Sequence, residues 1–332
     1  MNYIFKRLVH AAFALYVTVT LTFVLIRLVP GGPVDYLMAQ MIESGDVDRA
    51  REAAERIAEH MNLPLDQPMH VQYYEYMTSV FQGDLGRSFL LGDPVSEIML
   101  GALPWTIFIM AAALISSYVL GIALGGLMAY WEGGKFDTGL TLTNVVLTSI
   151  PYYVFALIFL GAAGYHWGWF PTGGRWDPDT TPGFNVEFMI GAVYHGFLPF
   201  LSMQVAGFGG PALAMRGNCI QILGSDYLRV ARLRGLPQHV ITTDYVIKNG
   251  VLPLYTGFMI SIASVFGGSV ILEVIFSYRG IGFYMVRAFE ARDYPLLMAA
   301  FIILATMTII GVVIADLTYH KIDPRIDIEE EA

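Results

Sequence analysis

Apolar residues in this chain gather into long blocks separated by polar stretches, at about 8–29, 103–131, 139–166, 194–215, 254–276 and 296–319. Each block reaches or exceeds the ~20 helical residues that cross a hydrocarbon core. The ten-residue alternation of a membrane barrel is absent from the sequence. The pattern therefore predicts an all-α integral membrane protein with six transmembrane helices. Between the fourth and fifth blocks lies a polar island, 216–253, whose centre reads DYLRVARLRGLPQHVITTDYVIKNGVLP from Asp226 to Pro253. Arg216, Arg229, Arg232, Arg234 and Lys248 make it the densest positive stretch, and Asp226 and Asp244 are its only acids. Turn signals divide it into two short helices. Ser225 or Asp226 can cap the first, and Gly235 can end it in a left-handed conformation. Pro237 suits the first turn of the second, and Gly250 with Pro253 are expected to stop it before the next span. A helical hairpin on the face of a membrane protein reads as a docking element.

Composition agrees with this picture. Of 332 residues, 55% are apolar and 14% charged, which excludes an ordinary soluble domain. Lys6 and Arg7 precede the first block, which is too long for the apolar region of a secretory signal and lacks a small-residue cleavage site before Pro30-Gly31-Gly32-Pro33. The first helix is thus expected to be retained, with its basic end in the cytoplasm. Six crossings return the C-terminus to the same side. This topology puts 131–138, 216–253 and 320–332 inside and 30–102, 167–193 and 277–295 outside, in the cell membrane. Arg49, Arg51, Arg56, Arg87, Arg175, Arg279, Arg287 and Arg292 then fall outside, so the orientation rests on the N-terminus and the short loops. The organisation read from the chain is an N-terminus and first helix (1–29), an extracytoplasmic segment (30–102), a transmembrane core (103–319) and an acidic cytoplasmic tail (320–332). Net charge is −9, with much of the acid in the external segment and in Glu329-Glu330-Glu331. The single cysteine, Cys219, excludes an internal disulfide and a cysteine metal cluster.

No segment can hydrolyse a nucleotide, because Gly133-Gly134-Lys135 is followed by Phe136 and fails the phosphate-loop pattern. The seven histidines are scattered without metal-ligand spacing, so no metal site is expected. Small and polar side chains recur at helical spacing in Thr141, Asn144, Thr148 and Pro151, and again in Gly257, Ser261, Ser264 and Gly268; Gln204 and Gly207 mark the intervening span. Such stripes line a conduit or serve helix packing in a membrane, and both readings stand. Gly121 and Gly125 fit close helix packing alone. Glu273, ionisable near a helix end, is a candidate for an external gate, capping it or pairing with Arg279; an interfacial carboxylate is the other reading.

The external segment holds a charged, alanine-rich helix pattern from Asp46 to His60, and aromatics Tyr73, Tyr74, Tyr76 and Phe81 suited to a lipid interface. Leu63, Pro64, Asp66, Pro68, Gln72 and Tyr73 precede Gly83-Asp84-Leu85-Gly86-Arg87-Ser88 and Pro94-Val95. Further on come Glu273-Val274-Ile275-Phe276-Ser277-Tyr278-Arg279-Gly280-Ile281-Gly282, Arg292-Asp293-Tyr294-Pro295 and Asp323-Pro324-Arg325.

These motifs, spread from residue 30 to residue 325, resemble the first permease subunit of ATP-binding cassette (ABC) importers of the dipeptide, oligopeptide and nickel family. Tyr227, Arg229, Ala231, Arg232, Gly235 and Leu236, then Asn249, Leu252 and Pro253, resemble that family's EAA loop, although Arg229 and Val230 replace the first two residues of the triplet. The resemblance implies a type I permease fold. It also implies an ATPase-coupling role for Tyr227, Arg229, Ala231, Arg232, Arg234, Gly235 and Leu236 in the 225–250 hairpin. Asp84, Arg87 and Ser88 become candidates for docking an external binding protein on a scoop-like segment. Implied partners are a homologous second permease, two ATPase subunits that carry the ATP and magnesium, a solute-binding protein and membrane lipid, with no nucleic acid. The competing class is a secondary transporter driven by an ion gradient; its inverted repeats and buried coupling acids are not evident. A membrane enzyme would need a catalytic cluster, and none is legible.

Overall fold

The computed structural model describes residues 3–28, 68–266 and 269–322, and every regular element among them is helical. The expected helix at 46–60, the motif residues from Pro30 to Asp66, Gly268 and the tail from Asp323 lie outside the described residues. Among the described residues, four helices are long and apolar enough to cross a membrane: Phe5–Ile26, Val95–Tyr130, Val186–Leu223 and Tyr294–Ala315. A fifth span arises if Lys135–Ser149 and Tyr152–His166 are counted together. The expected count of six is not confirmed, because the block around 254–276 is not among these spans.

That fifth span differs from the unbroken 139–166 helix expected from hydropathy. Pro151 disfavours the helical conformation in the residue before it. Ile150 is extended (φ −97°, ψ 124°), and the two halves meet at 89°. A second difference concerns Gly250 and Pro253. Neither stops the hairpin's second arm, which runs from Gln238 through a wide π-helical turn at Ile241–Ile247 directly into Lys248–Phe266. Gly250 serves a close approach instead: a Cβ there would lie 3.0 Å from Cys219 Sγ.

The helices fall into two compact units. The first holds α1 (Tyr3–Leu28), α2 (Met69–Gln82), α3 (Val95–Tyr130) as far as Thr106, and α4 (Ile281–Glu290) with α5 (Tyr294–Ile322) as far as Val313. Its core is Val95, Met99, Ala102, Ile281, Ala288, Leu296 and Ala300. α2 lies on α1 through Tyr73 and Tyr76, whose rings each stand 5.4 Å from Phe23. The Tyr73 hydroxyl also shares a 2.7 Å hydrogen bond with Thr20 Oγ1.

The second unit holds the rest of α3, then α6 (Lys135–Ser149), α7 (Tyr152–Phe159), α8 (Val186–Gly207), α9 (Gly209–Leu223), α10 (Asp226–Leu233) and α11 (Lys248–Phe266 as far as Val265). α9 is its hub. Gly121 and Gly125 of α3 abut it so closely that a Cβ would stand 2.5 Å from Pro211 Cβ and 2.4 Å from the Ala212 carbonyl oxygen. This is the small-residue contact their spacing predicts. On another side, a Cβ on Gly209 would lie 2.7 Å from Thr148 Cγ2 and 3.3 Å from Asn144 Cβ of α6.

Candidate functional site

The basic island folds as a hairpin on α9. Ser225 occupies the cap position before α10, yet its hydroxyl donates backwards to the Ile222 carbonyl at 2.6 Å rather than forward to the new helix. α10 ends at Gly235, whose φ of +72° is the left-handed conformation its position predicts. Leu228 and Ala231 are buried in a cluster with Met215 and Cys219 of α9, Ala129 of α3, and Ile241, Val246 and Leu254 beyond the turn; Leu236 packs against the same cluster. The opposite face of α10 is open. Tyr227 is 45% exposed, Val230 55% and Leu233 81%, and Arg229, Arg232 and Arg234 are exposed beside them. Of the candidate coupling residues, Ala231 is therefore buried and Leu236 half-buried, while Tyr227 and the arginines are outward.

The pore candidates among the described residues are gathered in the same unit. Asn144 is fully buried, and its amide oxygen and nitrogen have no hydrogen-bond partner among the described residues. Thr148 donates to the Asn144 carbonyl at 2.7 Å, and Thr141 to Asp137 Oδ1 at 3.5 Å. Gln204 of α8 accepts from Ser116 at 2.7 Å and Ser117 at 3.2 Å on α3, while its Nε2 is buried without a partner among the described residues. On α11, Ser261 shares a 3.1 Å hydrogen bond with the Tyr118 hydroxyl, and a Cβ on Gly257 would lie 3.3 Å from that same oxygen. The Ser264 side chain lies outside the described residues.

The gate candidate Glu273 lies in the first unit, 1% exposed on the short helix Val270–Ile275. It is an anchor for the start of α4. Its carboxylate accepts from Thr106 Oγ1 at 2.7 Å and from the Phe283 amide at 3.0 Å, and Thr106 Oγ1 accepts from the Ile281 amide at 3.0 Å. Negative charge is favoured at a helix start, where amides lack intrahelical acceptors. Glycines make room for it: a Cβ on Gly280 would stand 2.5 Å from the carboxyl group. Arg279 is exposed.

The docking candidates build one turn. Asp84 accepts from the Gly86 amide at 2.9 Å, and the exposed Arg87 side chain donates to the Gly92 carbonyl at 3.0 Å. Gly83, Gly86 and Gly92 all have positive φ. Ser88 is 3% exposed and donates to Asp293 Oδ2 at 2.6 Å, so it acts from inside the turn rather than at its surface. Asp293, itself fully buried, also accepts from the Leu90 amide at 3.0 Å and from Leu296 at 3.2 Å, capping α5.

Sequence reasoning passed over Thr106, Asp137 and the capping role of Asp293. An Asp two residues before Pro295 is a legible helix-start signal. Thr106, in contrast, sits in an apolar block with nothing local to mark it.

The described residues thus form membrane-length helices and a hairpin that is buried on one side and exposed on the other. The family model described as "Binding-protein-dependent transport system inner membrane component" matches residues 121–328. The chain belongs to this family. The N-terminal family model, "Binding-prot-dependent transport system membrane comp, N-term", matches residues 1–110. Relatives include the oligopeptide transport system permease protein AppB of Bacillus subtilis, 33% identical over 327 residues, which are 98% of this chain and 99% of AppB. The di/tripeptide transport system permease protein DppB of Pseudomonas aeruginosa is 30% identical over 319 residues (92% and 93% of the two chains). The oligopeptide transport system permease protein OppB of Haemophilus influenzae is 30% identical over 327 residues (98% and 99%).

Membership makes this chain an ABC importer permease, a multi-pass inner-membrane translocation component rather than an enzyme. It works with ATPase and solute-binding partners. The secondary-transporter reading gains no support from these relatives.

Proposed function

We propose that this permease imports peptides, that it forms half of the pathway beside a homologous second permease, and that two ATPase subunits dock on its 225–250 hairpin. The observation that carries the coupling role is the open face of α10. Tyr227, Val230 and Leu233 leave apolar surface uncovered beside three exposed arginines, whereas Leu228 and Ala231 root the same helix in the membrane unit. A helix buried on one side and open on the other is shaped to fill a groove in a partner. Charge suits it to a partner groove with acidic groups. In this reading both chain ends and the hairpin are cytoplasmic, as the basic N-terminus favours, and the segment at 30–102 faces the binding protein. Peptide as the solute follows the names of AppB, DppB and OppB. The amide of Asn144 and the Nε2 of Gln204, without partners among the described residues, support their place along the conduit, since a polar solute or its water supplies the hydrogen bonds they lack.

The test is a pair of substitutions on the open face, Val230→Asp and Leu233→Asp, in the assembled transporter. Both side chains are exposed, so the permease is expected to reach the membrane in normal amount while its ATPase subunits no longer co-purify and tripeptide uptake stops. Retention of the ATPase subunits at wild-type ratio by both variants would refute the docking role.

A further inference from the structure

α9 carries the hairpin on one side and grips α6 on the other, and that grip is an ion pair whose acid is buried and whose arginine is half-buried. Asp137, in the first turn of α6, is 1% exposed. Arg216 of α9 reaches it with two nitrogens, Nε to Oδ1 and Nη2 to Oδ2, the latter at 2.8 Å. The carboxylate also accepts from the Gly133 amide at 3.0 Å, closing the short loop before α6, where Gly133 takes a φ of +71°. Two parallel bonds from a planar guanidinium fix orientation as well as distance. A few turns away the same two helices touch again, where Gly209 lies against Thr148 and Asn144. Residue numbers rise along α6 from 137 to 148 and fall along α9 from 216 to 209, so the helices run antiparallel and are held at both ends of their contact.

The neighbours of Arg216 complete the chain of contacts. Met215 and Cys219 are buried with Leu228 and Ala231 of α10, and Asn218 donates to the Gly250 carbonyl at 3.0 Å. Displacement of the hairpin therefore displaces α9. At its other end, α6 leads into the 89° bend at Pro151.

We propose that Asp137 and Arg216 are positioning residues for energy coupling: the pair carries movement of the hairpin from α9 to α6, and so to the bend at Pro151. The proposal rests on the hairpin reading above. Arg216 thereby parts company with the other basic residues of its island. Its charge is spent on Asp137, whereas Arg229, Arg232 and Arg234 are exposed.

The experiment uses the whole reconstituted transporter with its binding protein, and compares Asp137→Asn, Arg216→Ala, Arg216→Lys and the double variant Asp137→Asn/Arg216→Ala. The quantity read is the stimulation of ATP hydrolysis by binding protein loaded with tri-alanine, over the hydrolysis without it. Expected is normal co-purification of the ATPase subunits and normal unstimulated hydrolysis. Stimulation should fall about tenfold in Asp137→Asn and Arg216→Ala, within the usual range of coupling between sites. Arg216→Lys, which keeps the charge, should fall less. The double variant should be no worse than either single one, because one interaction is lost only once. Wild-type stimulation in both single variants would overturn the proposal, as would additive losses. A fall in stimulation that only tracks lost assembly would also overturn it, by making the pair purely structural. Retention of the ATPase subunits at wild-type ratio by Val230→Asp and Leu233→Asp would instead defeat the hairpin reading, and this one with it.

Discussion

Gly125→Ala adds one methyl group where α3 crosses α9, and the structure says what that methyl meets. It would stand 2.4 Å from the Ala212 carbonyl oxygen, 2.6 Å from Met215 Cβ and 3.0 Å from the Arg216 amide nitrogen. Two of these atoms are helix backbone and cannot turn aside as a side-chain end could. A carbon and a carbonyl oxygen in contact lie ~3.3 Å apart, so the helices would have to separate by roughly 0.9 Å at the hub of the unit. Overpacking of this kind costs about 1–3 kcal/mol. Replacing glycine by alanine inside a helix returns about 1 kcal/mol, which leaves a net loss of up to roughly 2 kcal/mol and puts Gly125→Ala about 1–3 kcal/mol below a glycine-to-alanine change that meets no neighbour. The control is Gly217→Ala in α9 itself, where the added Cβ would have nothing within 4 Å; the propensity gain should there act alone. The assay is the temperature at which half of the detergent-purified transporter survives heating as an intact, monodisperse complex. At ~2–4 °C per kcal/mol for a unit of this size, Gly125→Ala should fall several degrees below Gly217→Ala, which should lose none. Equal survival of the two variants would refute the argument that close approach, and not conformational freedom, explains Gly125.

Gly235→Val should cost about 1–3 kcal/mol at the hairpin turn through its positive φ alone, because the added Cβ has nothing within 4 Å; membrane abundance should hold while ATPase co-purification and uptake fall, and wild-type behaviour on both would count against the hairpin. Glu273→Ala leaves the Thr106 hydroxyl and the Phe283 amide without their acceptor, a loss of roughly 2–4 kcal/mol, whereas Glu273→Gln keeps one acceptor oxygen and should cost about 1 kcal/mol. Thermal survival should rank wild type, Gln, Ala in that order, and an Ala variant as stable as Gln would show that the carboxylate does not anchor α4.

Hydropathy located most of the spans because length and apolarity are properties of a single stretch of chain. The turn at Gly235 was legible for the same local reason: only a residue tolerant of positive φ ends a helix that way. The errors came where a local signal had two physical outcomes. A proline inside an apolar block can kink a helix, break it or be absorbed. Pro151 breaks one, because nothing restores the helical conformation at Ile150, whereas Pro253 lies within α11, which runs on past it. Glycine is ambiguous in the same way. Gly250 looks like a stop, but its meaning depends on Cys219, 31 residues earlier in the chain and 3.0 Å from its would-be Cβ.

Buried charge was harder still to read. Asp137 followed by Thr141 looks like an ordinary acidic first turn, and Arg216 looks like the opening of a basic loop. Only folding brings the two together and turns a signal of topology into an internal ion pair. Folding likewise brings Glu273 to the Thr106 hydroxyl, 167 positions away, as a hydrogen bond. A buried ionised group persists only with partners that offset its desolvation, so a charge inside or beside an apolar block implies a partner without naming it. In this chain such partners were the unreadable part of the sequence. One of them, Asp137 for Arg216, joins the helix that carries the hairpin to the helix the hairpin is proposed to move.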